Sequence, residues 1–461
     1  MSSTFSGITT ALSSLYAQRR ALDVTGQNIA NANTEGYTRQ RVQMTSASGN
    51  ISPTMWSTSD GVGNGVSISD IRRTRDDFLE GRGREERANI SYLNNQKSQF
   101  VTIENTFAEP SDTALKHQMS ELWGSFADVA NNPDDRAIRT ALIQQGNTVV
   151  DGIHAAYNSL GAQWKANRDQ GDALATEVNT MAKNIAQLNT TIQRATAAGL
   201  PVNEMADQRD VQLMKLSELT GATSSIQSDG TASVYLGGSG LVQGVTAREI
   251  RMTGADRLQN QTADPAGSGV KVRWADSGTA AQVTGTMGAI QDTLTTTIPR
   301  YSGQLDGVAA KLATTVNTIH SAGYGLDGGS GRDFFTGTTA ESIKVAFDDP
   351  EFVAASATAG TYDAANADAL ADLATTPGGP DDTYAVLIAN LGVEAQSVDR
   401  RHAIQAVVTQ DTDAARESFA GVNLDEEMTQ LITYQRGYEA ASRVLNAVDE
   451  MLDVLINRMA V

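Results

Sequence analysis

Four histidines are the side chains best suited to bind a metal or to move a proton. They are His117, His154, His320 and His402. None of them has a second histidine three or four residues away, the spacing that puts two imidazoles on one helix face as half of a metal site. We therefore interpret all four as structural residues and predict no metal site.

Paired carboxylates are a second candidate, because glycoside hydrolases place two of them across the scissile bond. Adjacent pairs occur at residues 76–77, 348–349 and 381–382. Adjacency in the sequence does not by itself set the carboxylate separation that this mechanism needs. We predict no catalytic residues and interpret the chain as a protein that is not an enzyme.

A glycine-rich segment, residues 323–328, matches the G-x-G-x-x-G pattern of dinucleotide-binding proteins. That pattern needs a strand before it, whereas this segment follows a helical run. Asp327 and Asp333 in the same stretch lack the alternating oxygen ligands of a calcium loop. The sequence therefore predicts a turn with two solvated acids, and no cofactor.

The charge balance narrows the classes of partner. The 461 residues carry 54 acids against 35 lysines and arginines, a formal net charge of -19, and the pI is near 4.6. Binding to a nucleic acid backbone needs clustered cations, so nucleic acid is not an expected partner. The chain has no cysteine, which excludes disulfides and thiolate chemistry.

The sequence contains no ordinary signal for membrane insertion or secretion. No run approaches the roughly 18 apolar residues of a transmembrane helix. Residues 1–20 lack the basic start and the apolar segment of a cleavable signal peptide. We expect a protein that either stays in the cytoplasm or leaves the cell by a route that reads another signal.

Large apolar residues near the N-terminus repeat every seven positions. Ile8, Leu15, Leu22 and Ile29 form one row, and Leu12 lies on the neighbouring row. Spacing of seven places these side chains along one narrow seam of a helix.

The C-terminus carries the same pattern over a longer stretch. One row contains Leu431, Tyr438, Leu445 and Leu452, and the other contains Tyr434, Val448 and Leu455. Asn423 followed by Glu426 is the sequence of a capping box. We predict a helix over residues 424–459.

A helix of that length with a narrow seam needs a partner of comparable length. Residues 1–44 carry four arginines against Asp23 and Glu35, a net charge of +2. Residues 421–461 carry seven acids against three arginines, a net charge of -4. We therefore predict that the two chain ends pair as a coiled coil, with the middle of the chain inserted between them.

The middle of the chain reads as helices interrupted by two other regions. Predicted helices cover residues 76–107, 112–130, 134–160, 174–192, 203–220, 288–320 and 383–406. Residues 221–287 are rich in Gly, Ser and Thr, and predict strands at 232–236, 248–252, 270–274 and 281–284. Residues 321–382 are predicted to be loop-rich with short strands.

The predicted fold class is mainly α with a β-rich insertion. We expect long terminal helices paired as a coiled coil (1–70 with 421–461) and a helical-bundle second domain (71–220 with 288–420). The third part is a small β outer domain (221–287). Residues 72–87 hold six arginines interleaved with acids. We interpret that stretch as an ion-paired helix face, and contact with an adjacent subunit is the alternative.

The segment from Ala21 to Val42 reads Ala-Leu-Asp-Val-Thr-Gly-Gln-Asn-Ile-Ala-Asn-Ala-Asn-Thr-Glu-Gly-Tyr-Thr-Arg-Gln-Arg-Val. It resembles the N-terminal signature of flagellar axial proteins, the family of rod, hook and hook-associated proteins. The residues that carry the core of the motif are Asn28, Ala30, Asn31, Asn33, Thr34, Gly36 and Tyr37. Residues 38–41 extend it in the manner of type 1 hook-associated members, and residues 305–335 and 421–455 also resemble the family.

The motif also has a reading from its residues alone. Short asparagine side chains bond to nearby backbone where a helix ends, a glycine supplies a positive φ for the turn, and a tyrosine can anchor the chain as it leaves.

The resemblance implies a terminal coiled-coil domain that lines a tubular core, a helical second domain and a β-rich outer domain. It implies a structural subunit at the junction of the bacterial flagellar hook and filament, outside the cell, exported by the type III apparatus without a cleavable signal peptide. The implied partners are the flagellar hook protein, hook-associated protein 3, a ring of like subunits, and an export chaperone bound to the C-terminal helix.

We predict that the heptad residues form the assembly interface. They are Ile8, Leu12, Leu15, Leu22, Ile29, Leu431, Tyr434, Tyr438, Leu445, Val448, Leu452 and Leu455. Two alternatives stay open: hook-associated protein 3 or another axial protein, and, from a different class, a secreted peptidoglycan hydrolase. The hydrolase would need an acid poised in a cleft.

Overall fold

The computed structural model describes residues 4–47, 65–264, 267 and 269–454. The helices are α1 (Thr4–Ala30), α2 (Asp77–Phe107), α3 (Leu115–Asn131), α4 (Arg136–Ala197), α5 (Asn203–Thr220), α6 (Leu258–Ala263), α7 (Gly285–Asp292), α8 (Ile298–His320), α9 (Ala365–Ala371), α10 (Pro380–Ala420) and α11 (Leu424–Asp453). The strands are β1 (Gln40–Ser46), β2 (Val66–Arg73), β3 (Thr223–Ile226), β4 (Ala232–Leu236), β5 (Ser239–Gln243), β6 (Thr246–Ala247), β7 (Ile250–Thr253), β8 (Lys271–Trp274), β9 (Phe335–Thr336) and β10 (Lys344–Val345). The predicted fold class, mainly α with small sheets, is confirmed. None of the helices described here has the length and apolarity to cross a membrane.

Side-chain caps start three of the long helices. Asp76, Asp135 and Asn423 each accept hydrogen bonds from two backbone N–H groups in the first turns of α2, α4 and α11. The cap predicted for the C-terminal helix is therefore confirmed at Asn423. Glu426, predicted as the reciprocal member of that capping box, instead pairs with Arg39.

The helix α4 is continuous over 62 residues, a length of about 93 Å. The sequence predicted two helices here, ending at 160 and resuming at 174, and that break was wrong. Gly171 lies in the supposed gap and is buried against the side chain of Met252 in β7. The glycine lets a strand approach the helix closely and does not end it.

The helix predicted over residues 288–320 contains one irregular turn. A π-helical stretch, Thr293–Thr297, joins α7 to α8. The buried indole N–H of Trp164 donates to the carbonyl oxygen of Leu294 at 2.9 Å. A side-chain donor inserted at this point is a known cause of such an irregularity, and it fixes α4 against α8.

One continuous hydrophobic core holds the helical body together. Its largest fully buried hydrophobic side chains include Trp164, Trp274, Tyr301, Tyr384, Phe126 and Phe334. Trp274 belongs to β8, so the β-rich region shares this core with the helices. The body, residues 77–420, therefore has its own core of large side chains, although others, such as Phe78, Val393 and Ile404, are exposed.

The β-rich region consists of a four-stranded antiparallel sheet, β3-β4-β5-β6, and the hairpin β7-β8. The predicted run at 232–236 coincides with β4, and those at 248–252 and 270–274 overlap β7 and β8. The run at 281–284 was wrong as a strand, because those residues have no strand assignment and the isolated bridge from Ala280 to Arg273 lies just before them. The sequence prediction missed β3, β5 and the two-residue strand β6.

Asparagines on helices bind the backbone of neighbouring strands in a recurring way. Asn179 on α4 donates to the carbonyl oxygen of Ile250 and accepts from the N–H of the same residue, both at 2.8 Å. Asn189, which lies ten residues further along α4, donates to the carbonyl oxygen of Ala232 at 2.8 Å and accepts from its N–H at 2.9 Å. Each amide replaces a missing strand neighbour, which satisfies both backbone groups of one residue.

The helix α10 is longer than the predicted 383–406. It runs antiparallel to α2, since Asp399 pairs with Lys97 and Arg416 with Glu80. Beyond residue 406 the buried positions include Thr409 and Thr412. The repeat of apolar residues therefore stops before the helix does, which explains the short prediction. Residues 321–382, between α8 and α10, hold β9, β10, α9 and short 3-10 turns, as the loop-rich prediction expected.

Candidate functional site: the paired chain ends

The two chain ends lie side by side as antiparallel helices, α1 against α11. A Cβ placed on Gly7 would lie 3.8 Å from Val448, and one placed on Gly437 would lie 2.9 Å from Gln18. At the other end Asn28 donates to Glu427 at 2.9 Å. These three contacts share one register, in which the residue numbers of facing positions add up to about 455. We call this unit the terminal pair.

The seam between the two helices is built mostly of small side chains. On α1 the buried positions on this side include Ala11, Ala21 and Thr25. On α11 they include Ala441 and Val448, both about 8% exposed. Small residues let the two backbones approach closely but bury little apolar area.

One predicted row of α11, with Tyr434 and Val448, lies in this seam, and the other predicted large side chains flank it. Eight of the predicted residues are half-buried, four on each helix: Ile8, Leu15, Leu22, Ile29, Leu431, Tyr434, Leu445 and Leu452. Leu12 is 38% exposed and Tyr438 is 41% exposed, whereas Val448 is buried in the seam. Leu455 lies outside the described residues. The assembly role of these residues stays a prediction.

The rows on α1 and α11 lie on the same side of the terminal pair. Ile8, Leu15 and Leu22 follow the seam positions of α1 by one residue, a rotation of about 100°. Leu445 lies four residues after Ala441 and three before Val448, which rotates it in the same sense by about 40 to 60° from those seam positions. Because the helices are antiparallel, rotations in the same sense point to one common side. We call this side, with its half-exposed large residues, the apolar face.

Asn28 closes the terminal pair at one end. Its side chain is fully buried and donates to both Glu427 and the carbonyl oxygen of Gln40, each at 2.9 Å. Its amide oxygen accepts from the N–H of Gln40 at 3.0 Å and from the hydroxyl of Tyr37 at 2.8 Å. This motif asparagine therefore joins α1, β1 and α11, and it binds Gln40 as Asn179 and Asn189 bind their strands.

Arg39 is the cation of the same cluster. It donates from Nε to buried Glu427 at 2.6 Å and from Nη1 to exposed Glu426 at 2.7 Å. Burial lowers the pKa of Arg39, but hydrogen bonds and charge from Glu426 and Glu427 outweigh this and raise its pKa. For Tyr37, burial and then the charges of Asp207 and Glu427 raise the pKa to about 12. Both groups therefore keep their protons at neutral pH.

The remaining motif residues face outward or make local bonds. Asn31 donates to the carbonyl oxygen of Gln27, and Thr34 donates to Asn31. Gly36 has φ +77°, and a side chain there would collide with Val211 of α5, so glycine is required twice over. The exposed members are Ala30, Asn33, Thr34 and Gly36.

A β-hairpin, β1-β2, packs on α1 and was not predicted. It pairs Gln40 with Arg73 and Ser46 with Val66, with one irregularity after Gln43. The alternation of Val66, Ile68 and neighbouring polar residues was a period-two signal that could have revealed it. The hairpin brings Arg39 back beside α11 and leads the chain into the body.

Ion pairs attach the β1-β2 hairpin, which packs on α1, to the body. Arg73 in β2 binds Asp207 and Asp210 of α5 at 2.8 and 2.7 Å, and Arg75 also binds Asp210. Burial lowers the pKa of Arg75 to about 10, which leaves it charged at neutral pH. Arg87 binds Glu218 and Asp413. The ion pairs predicted for residues 72–87 are present, and most of them join α2 and β2 to other helices.

The candidates for acid–base chemistry have structural environments. His320 is buried, holds the carbonyl oxygen of Arg332 at Nδ1, and accepts from the N–H of Ala354 at Nε2. Burial lowers its pKa to about 4. Asp327 pairs with Arg332 in a turn, and Asp381 accepts from the indole of Trp123.

The other histidines are dispersed. His117 and His402 lie on exposed parts of helices, where His402 contacts Asn94. Over the described ranges, the side chains do not form any group of three or more His, Asp and Glu that could hold a metal.

Family models match the chain in three places. A model described as the flagellar hook-associated protein FlgK helical domain covers residues 100–335, just over half of the chain. A flagella basal body rod protein model covers residues 8–38, and a flagellar basal body rod FlgEFG protein C-terminal model covers 417–459. The two rod-protein models fall on the two helices of the terminal pair. Paired ends of this kind around a helical body define a flagellar axial protein.

Full-length relatives agree with this class. The chain is 28% identical to flagellar hook-associated protein 1 of Bacillus subtilis, covering 100% of this chain and 99% of that protein. It is 28% identical to the same protein of Escherichia coli, covering 98% and 99%. The chain therefore belongs to the flagellar hook-associated protein FlgK family, which confirms the resemblance seen in its sequence.

A solved structure supports the fold. The flagellar hook junction protein FlgK from Burkholderia pseudomallei superposes with a TM-score of 0.64 at 15% identity. The superposition covers 73% of this chain and 100% of that one.

Proposed function

We propose that this chain is a structural subunit that joins the bacterial flagellar hook to the filament. The observation that carries the proposal is the apolar face. Its large residues are held along both chain ends, yet the seam between α1 and α11 buries mainly small ones. Neighbouring subunits in a tube would supply the burial that the single chain lacks.

The proposed contacts are made between like and related chain ends. The apolar face of one copy packs against the terminal helices of its neighbours in a ring. Contact on one side is with the flagellar hook protein and on the other with hook-associated protein 3. The full-length relatives are named flagellar hook-associated protein 1, which supports this choice over hook-associated protein 3 as the identity of the subunit.

Export and location follow from the same proposal. The chain leaves the cell through the flagellar type III apparatus without cleavage of a signal peptide and resides in the extracellular flagellum. An export chaperone binds α11 before assembly, because several large apolar residues of that helix, such as Leu424 and Met428, are about half exposed. The protein has no catalytic role, and the residues considered for chemistry serve the fold.

Deletion of the gene in its host tests the function. We expect intact hooks without filaments, with unpolymerised flagellin released into the medium. Filaments of normal length on the deletion strain would overturn the proposal. Turnover of cell-wall fragments by the purified chain, abolished by changing one carboxylate, would establish the hydrolase alternative instead.

Complementation with point variants tests the apolar face itself. Leu445→Glu places a charge on the face, whereas Ala447→Glu places the same charge two residues away at an exposed position on another side of α11. We expect Leu445→Glu to be exported but to fail in supporting filaments, and Ala447→Glu to restore motility. Equal motility of the two strains would contradict an assembly role for this face.

A further inference from the structure

The small-residue seam of the terminal pair leaves its register weakly determined. Gly7 on α1 faces Val448 on α11, and in the same register Ala11 and Ala21 lie opposite Val444 and Tyr434. Interlocking of large and small side chains is what normally fixes the register of paired helices. The small residues Gly7, Ala11, Ser14 and Ala21 line most of the α1 side. A slip of seven residues that brings Tyr434 opposite Ser14 instead of Ala21 therefore costs little in packing terms.

The polar cluster at the closed end has only one register that satisfies it. Glu427 is buried, and its two carboxylate oxygens accept from Asn28 at 2.9 Å and from Arg39 at 2.6 Å. A slip of one heptad moves α11 by about 10 Å along α1. The carboxylate of Glu427 would then lose both donors, and an unpaired buried charge is strongly destabilising.

We propose that Asn28, Arg39 and Glu427 act as a register lock for the two chain ends. Asn28 and Arg39 are positioning residues: they fix how far α11 slides along α1, and thereby align the two rows of the apolar face. The lock joins residues almost 400 positions apart in the chain, since Asn28 and Glu427 differ by 399. Its three members come from α1, from the segment before β1, and from α11.

The motif segment is thus divided between two tasks. Asn28 and Tyr37 point inward to the lock, whereas Asn33 and Thr34 are exposed. This division supplies a matched control, because an exposed asparagine of the same segment can be changed without touching the lock.

Disulfide trapping in the full-length chain tests the proposal, since the native chain has no cysteine. The pair Gly7→Cys with Val448→Cys reports the observed register. The pairs Ser14→Cys with Val448→Cys and Gly7→Cys with Ala441→Cys report slips of seven residues in either direction. A disulfide needs Cα atoms within about 7 Å, so each pair reports one register only.

In the otherwise native chain, we expect the bridge between positions 7 and 448 to exceed either slipped bridge by about tenfold or more. In the double variant Asn28→Leu with Glu427→Leu, leucine preserves the helix propensity of α1 and α11. We expect the slipped bridges to form in this variant. The exposed double change Asn33→Leu with Glu439→Leu leaves the native selectivity intact. Glu427→Gln, which keeps the shape and removes the charge, gives slipped bridges in smaller yield.

Three results would overturn the lock. One is native selectivity that persists in both lock variants, since another feature then sets the register. Another is an otherwise native chain in which the slipped bridges form in the same yield as the bridge between positions 7 and 448, or in which no bridge forms at all. The last is a leucine variant without any bridge, since the cluster is then needed for pairing rather than for register. None of these depends on whether the chain joins hook to filament.

Discussion

The helical body and the terminal pair are both made of long helices, but they bury different things. Trp164, Tyr301 and Phe126 are fully buried in the body, and ion pairs reinforce its edges. In the terminal pair the buried residues are mainly alanines and polar side chains, and the leucines stay half exposed. The body has a core of large side chains of its own, whereas the terminal pair does not, and we propose that contacts with other chains complete it.

The largest effect is expected in the body. Trp164→Ala removes a fully buried indole and its hydrogen bond to Leu294, and we expect a loss of about 4 to 5 kcal/mol in the free energy of unfolding. Denaturant unfolding followed by near-ultraviolet signals measures it. A loss below about 1 kcal/mol would mean that the body is no better packed than the ends.

The attachment of the ends comes next. Arg39→Ala leaves the buried carboxylate of Glu427 without its cation, which costs about 3 to 5 kcal/mol locally. We expect fast proteolysis within α1 and α11 while the body stays resistant, as followed by mass spectrometry of the fragments. Arg72→Ala, at an exposed arginine of β2, is the control, and equal cleavage of both variants would argue against a special role for Arg39.

Acid should weaken the body through His320. Its pKa is about 4 in the folded chain against 6.5 for an ordinary histidine, so the unfolded chain binds the extra proton first. Stability is therefore present above pH 6.5 and falls by about 3 kcal/mol as the pH drops toward 4. The comparison of His320→Gln with His117→Gln over this range isolates the effect, and equal pH profiles would refute it.

The smallest effect in solution is expected on the apolar face. Leu22→Ala removes a half-buried side chain, and we expect a loss of about 1 kcal/mol or less for the isolated chain. The same variant should lose motility, since its contact is completed between subunits. A large loss of stability in the monomer together with normal motility would reverse the comparison between body and ends.

Much of this architecture could be predicted from local signals. Both bounds of α5 were predicted correctly. The start of α11 was predicted from Asn423, whose side chain caps that helix. The two chain ends were predicted to pair because large apolar residues repeat every seven positions in both of them. In the structure, α1 and α11 pack against each other in antiparallel orientation.

The features that were missed depend on contacts between distant residues. The seam of the terminal pair was assigned to large apolar residues, but alanine and glycine carry no strong hydrophobic signal and Asn28 reads as polar. Gly171 was read as a helix end. The contact that requires a glycine there is with Met252, which is distant in the sequence. The π-helical turn has the same origin in Trp164.

Only two stretches of backbone lead from the body to the terminal pair: residues 74–76 after β2 and residues 421–423 between α10 and α11. A long unbroken α4 makes the body stiff along its length, so bending concentrates where these two short connections lie. Rotation of one unit against the other must therefore stretch or break the bonds of Arg73 and Arg75 to α5. Those arginines, together with the bonds of Gln27 to Glu204 and of Thr38 to Asp207, resist rotation at this joint.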